Sequence, residues 1–280
     1  MVFFVSSWLG GKELVTMTVL AFLTHPDTIW QRRARTLTFY LALVALWELL
    51  YLARLWPEFL FPAPLSVLAT LVDGFQGGTF MLGIGASLAR LAIGYGISLL
   101  IGLPLGLAAG RVKTIDQTIG ALVLGLQTLP SICWLPLALL WFGLNERAII
   151  FVVVMGAVLS VTLAAQDGVK NVRPLYLLAA KNMGARGLNL YARVILPAAF
   201  PAILTGMKLG WSFAWRSLMA GELLYGNVGL GQLLMMGREL NDMSQVIAVM
   251  LVIVALGLFV DRLVFAPVER RVRARWGLTQ

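Results

Sequence analysis

Charged side chains inside apolar segments are the residues of this sequence with the clearest chemistry. Arg216 lies between Trp215 and Ser217 in a long apolar stretch, with Glu222 further along it and Glu48 in an earlier apolar segment. Ionisable groups within a membrane usually face a water-filled cavity or the protein interior. A guanidinium binds a planar oxyanion through two parallel hydrogen bonds. These five residues are therefore candidates for the lining of an anion path.

A structural role is the alternative for each of these charges. Arg216 would then form an ion pair with Glu222 or Glu48. Arg90 lies near the outer end of its apolar segment, which favours snorkelling or a structural pair over contact with a transported molecule.

The sequence lacks the patterns that catalysis or nucleotide binding requires. No G-x-x-x-x-G-K-[ST] motif is present, so we expect no ATP hydrolysis by this chain and no cofactor in it. His25 is the only histidine and Cys133 the only cysteine, and no metal site is expected. Because Cys133 lies in an apolar run, it is predicted to be a small core residue.

The composition is that of an integral membrane protein. Hydrophobic residues make up 60% of the 280 residues and charged residues 12%, with a mean hydropathy of +0.87. Soluble domains carry about 25% charged residues. The net charge of +9 could indicate nucleic acid. However, the basic residues lie beside apolar segments, where membrane orientation and anionic lipid account for them.

Six apolar segments predict an all-α membrane protein, a six-span helical bundle. The third segment is too long for one straight helix and contains Pro130 and Pro136, so a kinked or broken span is expected there. Counting it as two spans would place the termini on opposite sides. The segments are residues 36–53, 91–109, 117–145, 148–166, 201–221 and 243–260.

The basic residues orient these spans. With six spans and the N-terminus inside, sixteen of the 22 Lys and Arg residues fall on the cytoplasmic side and three outside. This bias predicts a bacterial cytoplasmic membrane location with both termini in the cytoplasm. The predicted divisions are an interfacial N-terminal segment at 1–35, the first span and outer loop at 36–79, a core at 80–265 with a loop at 167–199, and a basic tail at 266–280.

Small residues recur every fourth position in the second segment, and a similar row occurs in the fifth. Such rows let helices approach closely in lipid, where hydrophobic drive between helices is weak. We expect these helices to pack tightly and to move during transport; static packing is the alternative. The row in the second segment is Gly94, Ser98, Gly102, Gly106 and Gly110.

A basic stretch, residues 168–201, interrupts the apolar chain. It must lie in water or against another protein, which suggests that a soluble partner docks there. Gly184 and Gly187 permit a turn between two short helical pieces. An ordinary amphipathic connector is the alternative.

Within this stretch, AAKNMGARGLNLYARVILP resembles the EAA loop of ATP-binding-cassette (ABC) importer permeases. In that family, Glu-Ala-Ala, three residues, Gly, nine residues and Ile-x-Leu-Pro form a coupling helix that sits in a cleft of the ATPase. Leu178 and Val194 replace the family Glu and Ile, so an ion pair through that Glu is not expected. The resemblance assigns ATPase coupling to Ala179, Ala180, Lys181, Gly184, Ala185, Arg186, Leu196 and Pro197.

The resemblance extends over most of the chain, including LPSICWLPLALLWFGLNE at 129–146 and GLGQLL at 229–234. Together these segments look like permeases of the nitrate, taurine, sulfonate and bicarbonate type. The resemblance implies the type I importer (MetI-like) fold, a second permease subunit, two ATPases that bind ATP and Mg, and an extracytoplasmic binding protein. The implied substrate is a small oxyanion or organosulfonate.

Two other functions stay open at the level of sequence. An ion-gradient-driven transporter or channel would be favoured by an inverted repeat or by carboxylate relays in the spans, and neither is found. A membrane scaffold without transport is the other. Co-purification with an ATPase would separate the importer from both.

Overall fold

The computed structural model describes residues 29–225 and 228–276, which form helices and connecting turns without a β-strand. Of the interfacial segment expected at 1–35, residues 1–28 lie outside this range, and residues 29–35 lie in the first helix. The all-α prediction is confirmed. In chain order the helices are α1 (Ile29–Leu52), α2 (Pro64–Gln76), α3 (Thr79–Arg111), α4 (Lys113–Leu126), α5 (Ser131–Phe142), α6 (Glu146–Lys170), α7 (Pro174–Asn182), α8 (Gly187–Leu224), α9 (Leu230–Glu239) and α10 (Met243–Arg275).

Five of these helices, α1, α3, α6, α8 and α10, are long and apolar enough to cross a membrane within the described part of the chain. Helices α4 and α5 meet at 99° and together qualify as a sixth, broken span. The expected break in the third apolar segment is thus confirmed. Of the two prolines there, Pro130 lies at the break with an extended ψ of 138°. Pro136 lies within α5, in the first turn of its α-helical part Leu135–Phe142, where proline is tolerated.

Cys133 lies in the turn that follows this break, and its side chain is exposed. The prediction that it is a core residue is therefore wrong. Its neighbour Ile132 is exposed as well, because the short turn presents both side chains outward.

The chain divides into two units, residues 1–58 and 59–280, and α1 belongs to the first. In the second unit, α6 is the central helix and packs between α3 and α8. Val152, Val153, Ala157 and Ala165 on α6 are fully buried. A helix this apolar all round is expected at the centre of a bundle.

The small residues of α3 face α6 at very close range. A Cβ atom at Gly94 would lie 2.6 Å from Cγ1 of Val153, and one at Gly106 would lie 2.2 Å from the Thr162 carbonyl oxygen. Ser98 is fully buried and donates a hydrogen bond to the Val154 carbonyl at 3.2 Å. The two backbones touch because these positions carry no larger side chain, which is how helices associate in lipid.

Candidate docking surface, cavity and ion-pair network

The connection between α7 and α8 is a sharp elbow built on two glycines. Gly184 has a φ of 85° and Gly187 a φ of 54°, both left-handed. The Ala185 amide donates to the Ala180 carbonyl at 2.9 Å, and the Gly184 amide donates to the Lys181 carbonyl at 3.0 Å. This hydrogen-bond pair with a left-handed glycine is the Schellman motif, which ends α7 at a fixed angle.

The inner face of the elbow is anchored in the helical core. Ala180, Leu190 and Ile195 are buried in one cluster with Val169 of α6. The Tyr191 hydroxyl donates to the Leu107 carbonyl of α3 at 2.9 Å. The elbow is therefore fixed to both α3 and α6.

The outer face exposes large apolar side chains. Leu178 is 59% exposed, Met183 87% and Leu188 86%. Large exposed apolar patches are typical of protein-interaction sites. We name these three residues, with the exposed Lys181 and Arg186, the elbow surface.

The residues assigned to coupling divide between the two faces. Ala180 is buried, and Ala185 and Leu196 are half-buried, so these three hold the elbow in place. The remaining five are exposed: Ala179, Lys181, Gly184, Arg186 and Pro197.

Gly184→Ala is expected to destabilise the elbow by about 1–2 kcal/mol, because a Cβ disfavours the left-handed conformation. Trypsin should then cleave faster after the exposed Lys181 and Arg186 than in the unmodified protein. Gly125→Ala is the matched control, since Gly125 lies in a helix with open space around it. Equal cleavage rates in the two variants would show that the turn does not depend on this glycine.

A cavity of about 300 Å³ opens beside the break between α4 and α5. The Arg216 guanidinium reaches it from α8, with Nε donating to the Ser212 carbonyl at 3.2 Å and the group 4.7 Å from the Phe213 ring centroid. Within the described residues Arg216 has no salt-bridge partner. The cavity is lined by Gln127, Thr128, Leu129, Pro130, Ser131, Met155, Gly156, Leu159, Ser160, Phe213 and Arg216.

Three other path candidates, Trp215, Ser217 and Glu222, are not among the residues that line this cavity. Trp215 packs on the core cluster of Leu91, and Ser217 is fully buried and donates to the Phe213 carbonyl. Successive residues of a helix point about 100° apart, so neighbours of Arg216 in sequence face different partners. Glu222 is buried in an ion pair, and Glu48 is half-buried on α1, in the first unit.

An ion-pair network joins α3, α6 and α8; its Arg90 and Glu222 side chains are buried, whereas the Glu146 side chain is 67% exposed. Arg90 contacts Glu222 at 2.9 Å and Glu146 at 2.7 Å, so Glu222 pairs with Arg90 and not with Arg216. Ser87 donates to Glu222 at 2.8 Å and accepts from the Leu230 amide at 2.9 Å. Arg90 therefore forms a structural ion pair, which is one of the two roles expected for it. The hydrogen bond from the Leu230 amide to Ser87 also holds the start of α9 against this network.

Sequence analysis missed several residues of these sites. Ser87 and Glu146 complete the network, and Gln127, Ser131 and Ser160 line the cavity. The one feature of the sequence that could have identified them is that they are polar residues beside Pro130 or within apolar segments. Residues 29–225 and 228–276 contain no group of three or more His, Cys, Asp or Glu side chains that could hold a metal ion.

The bundle with its broken span and elbow has the fold of a type I ABC importer permease. A solved structure of the MetNI methionine ABC transporter, in an inward-facing conformation, superposes with a TM-score of 0.61 at 20% identity, covering 69% of this chain and 96% of that chain. Residues 102–274 match the family described as binding-protein-dependent transport system inner membrane component. The chain belongs to this family.

Sequence relatives agree with this assignment. A chain named as an ABC transporter permease in Methanocaldococcus jannaschii is 35% identical, covering 78% of this chain and 84% of the relative. The taurine transport system permease protein of Escherichia coli is 30% identical, covering 87% of this chain and 90% of the relative. Other relatives are named as nitrate, aliphatic sulfonate and bicarbonate permeases. The resemblance noted in the sequence is confirmed: the chain is the permease subunit of an ABC importer, a multi-pass protein of the inner membrane.

Proposed function

We propose that this permease forms the translocation path for a small oxyanion or organosulfonate that a binding protein delivers from outside the cell. The observation that carries the proposal is Arg216 at the cavity beside the broken span, without a salt-bridge partner among the described residues. An unpaired cation in the membrane favours an anionic ligand. The taurine, sulfonate, nitrate and bicarbonate relatives support the same class of substrate.

Energy for transport comes from two ATPase subunits that dock on the elbow surface. ATP and Mg bind to those subunits, and this chain contributes no cofactor site. The exposed Leu178, Met183 and Leu188 supply apolar area to the ATPase cleft. Because the inner face of the elbow is packed on α3 and α6, closure of the ATPases tilts these helices as one body.

The assembly contains two copies of this permease, with both termini in the cytoplasm. The concentration of Lys and Arg on one side of the spans supports this orientation. Membrane lipid covers the apolar helix surface that faces outward. An ion-gradient mechanism is not favoured, since the family couples transport to a binding protein.

The proposal is tested by ATP-dependent uptake in proteoliposomes that contain the permease, its ATPase and its binding protein. Nitrate, bicarbonate, taurine and methanesulfonate form the substrate panel. Uptake of at least one of them is expected. If all four fail while an uncharged solute or a cation is taken up, the proposed substrate class is wrong.

Arg216→Ala is expected to lower uptake about 10–100-fold, because a hydrogen bond to a charged group contributes about 1.5–3 kcal/mol. Stimulation of ATP hydrolysis by the binding protein should persist, since Arg216 is not part of the elbow surface on which the ATPase docks. Arg238→Ala, at an exposed arginine outside the cavity, should leave uptake unchanged. Equal uptake by the two variants would remove Arg216 from the path.

A further inference from the structure

The cavity beside Pro130 has the composition of a built anion site. Resting on the proposed import of anions, we propose that it is a transit subsite for singly charged oxyanions, held by Arg216 together with the hydroxyls of Ser131 and Ser160. The subsite would hold the anion inside the membrane after the binding protein has released it.

The charge of the cavity sets the charge of its ligand. Among the described residues, Arg216 is the only charged residue of the lining, and no acid is present. The nearest acid along α8, Glu222, lies outside this lining and pairs with Arg90. One bound monoanion therefore balances the single charge of the lining, whereas a dianion leaves one negative charge without a cationic partner there.

Arg216 is held so that one edge of its guanidinium stays available. Nε is occupied by the Ser212 carbonyl, and the guanidinium carbon lies 4.7 Å from the centroid of the Phe213 ring, within range of a cation–π contact. The two terminal amino groups make no hydrogen bond within the described residues. They form the fork that binds two oxygens of a sulfonate, nitrate or bicarbonate group.

Two hydroxyls of the wall are available as donors, and the buried Oε1 of Gln127 is an acceptor without a hydrogen-bond partner among the described residues. Ser160 is 8% exposed, and its oxygen accepts from Gln127 at 3.3 Å, which leaves its hydroxyl hydrogen without an acceptor among the described residues. The half-buried Ser131 hydroxyl makes no hydrogen bond within the same part of the chain. Two neutral donors beside one guanidinium suit an oxyanion and oppose a cation.

The broken span gives a second, independent reason for a site. Irregular backbone at membrane depth is tolerated where it is buried in protein or lines a water-filled cavity, and broken helices in transporters form substrate sites. Here the break between α4 and α5 contributes Gln127, Pro130 and Ser131 to the lining. The cavity of about 300 Å³ exceeds the ~30 Å³ share of one water molecule and accommodates a small anion with residual water.

The test is protection of Arg216 from chemical modification. The intact complex in detergent is treated with phenylglyoxal, which adds to free guanidinium groups, and the adduct at each arginine is quantified by mass spectrometry. Saturating methanesulfonate or nitrate should slow modification of Arg216 by about tenfold, which corresponds to 1.4 kcal/mol, and leave exposed Arg238 unaffected. Sulfate at equal ionic strength should protect Arg216 less than twofold, within about 0.4 kcal/mol.

Hydroxyl variants test the remaining contacts. Ser131→Ala and Ser160→Ala should each raise the half-protecting methanesulfonate concentration by roughly two- to tenfold, the loss of one neutral hydrogen bond. Thr205→Ala is the control, because the Thr205 hydroxyl bonds the Pro201 carbonyl and lies outside this cavity. No change in either serine variant would exclude the hydroxyls from the subsite.

Each outcome decides the matter. If methanesulfonate and nitrate leave modification of Arg216 unchanged, the subsite is overturned, even when the complex imports anions. Equal protection by sulfate overturns its selectivity for single charge. If protection is observed but the complex takes up no oxyanion from the substrate panel, the subsite stands and the proposed transport function is wrong.

Discussion

Arg90→Ala is expected to destabilise the folded permease by about 3–5 kcal/mol, because it leaves a buried carboxylate without its partner. The side chain of Arg90 is 6% exposed and that of Glu222 is fully buried. The two polar neighbours that remain, the Ser87 hydroxyl and the Gly231 amide, cannot neutralise the charge. The measurement is the thermal unfolding midpoint of the permease in detergent, together with its yield.

Two further variants separate loss of the ion pair from loss of an arginine side chain. Arg238→Ala removes an exposed arginine and should shift the midpoint little. The pair Arg90→Met with Glu222→Leu should be markedly more stable than Arg90→Ala alone, because it removes both buried charges. If Arg90→Ala unfolds at the same temperature as Arg238→Ala, the network does not stabilise the fold.

Gly106→Leu is expected to prevent the close packing of α3 on α6 and to destabilise the protein by about 3 kcal/mol or more. Even a Cβ there would lie 2.2 Å from the Thr162 carbonyl oxygen and 2.7 Å from the Ala165 Cβ, and backbone cannot move aside as a flexible side chain can. The same unfolding measurement applies, with assembly onto the ATPase as a second readout.

Gly85→Leu is the matched control for this prediction. Gly85 lies on the same helix, is exposed, and has no atom within 4 Å of the position of a Cβ. A leucine there should leave the unfolding midpoint close to that of the unmodified protein. If Gly106→Leu behaves like Gly85→Leu, the row of small residues is not what holds α3 to α6.

The fold was largely predictable because its dominant signal is local. A span needs a run of apolar residues, and the sequence shows where each run lies and where Pro130 interrupts one. The sequence did not show which of the two prolines breaks the span. Pro130 lies at the break, whereas Pro136 lies in the first turn of the α-helical part of α5. The elbow was predictable for the same reason, since Gly184 and Gly187 mark a turn by their own conformational preference.

The sites were predictable only in part, because they depend on pairing across the bundle. Arg90 and Glu222 stand 132 positions apart, so the sequence identified both as unusual charges without showing that they bind each other. Arg216 was identified because a cation in an apolar span is rare. Its neighbours Trp215 and Ser217 were grouped with it by position alone, and helical geometry turns them toward the core.

The docking of an ATPase on the elbow surface is tested most directly by site-specific cross-linking. In a Cys133→Ala background, Met183→Cys places a single cysteine at a residue that is 87% exposed beside the Gly184 turn. In the assembled complex, a short cross-linker with one thiol-reactive and one amine-reactive end should join this position to the ATPase subunit. Met236→Cys on α9 should form no such product. Absence of the product at position 183, or labelling of that position only from outside the cell, would contradict the account.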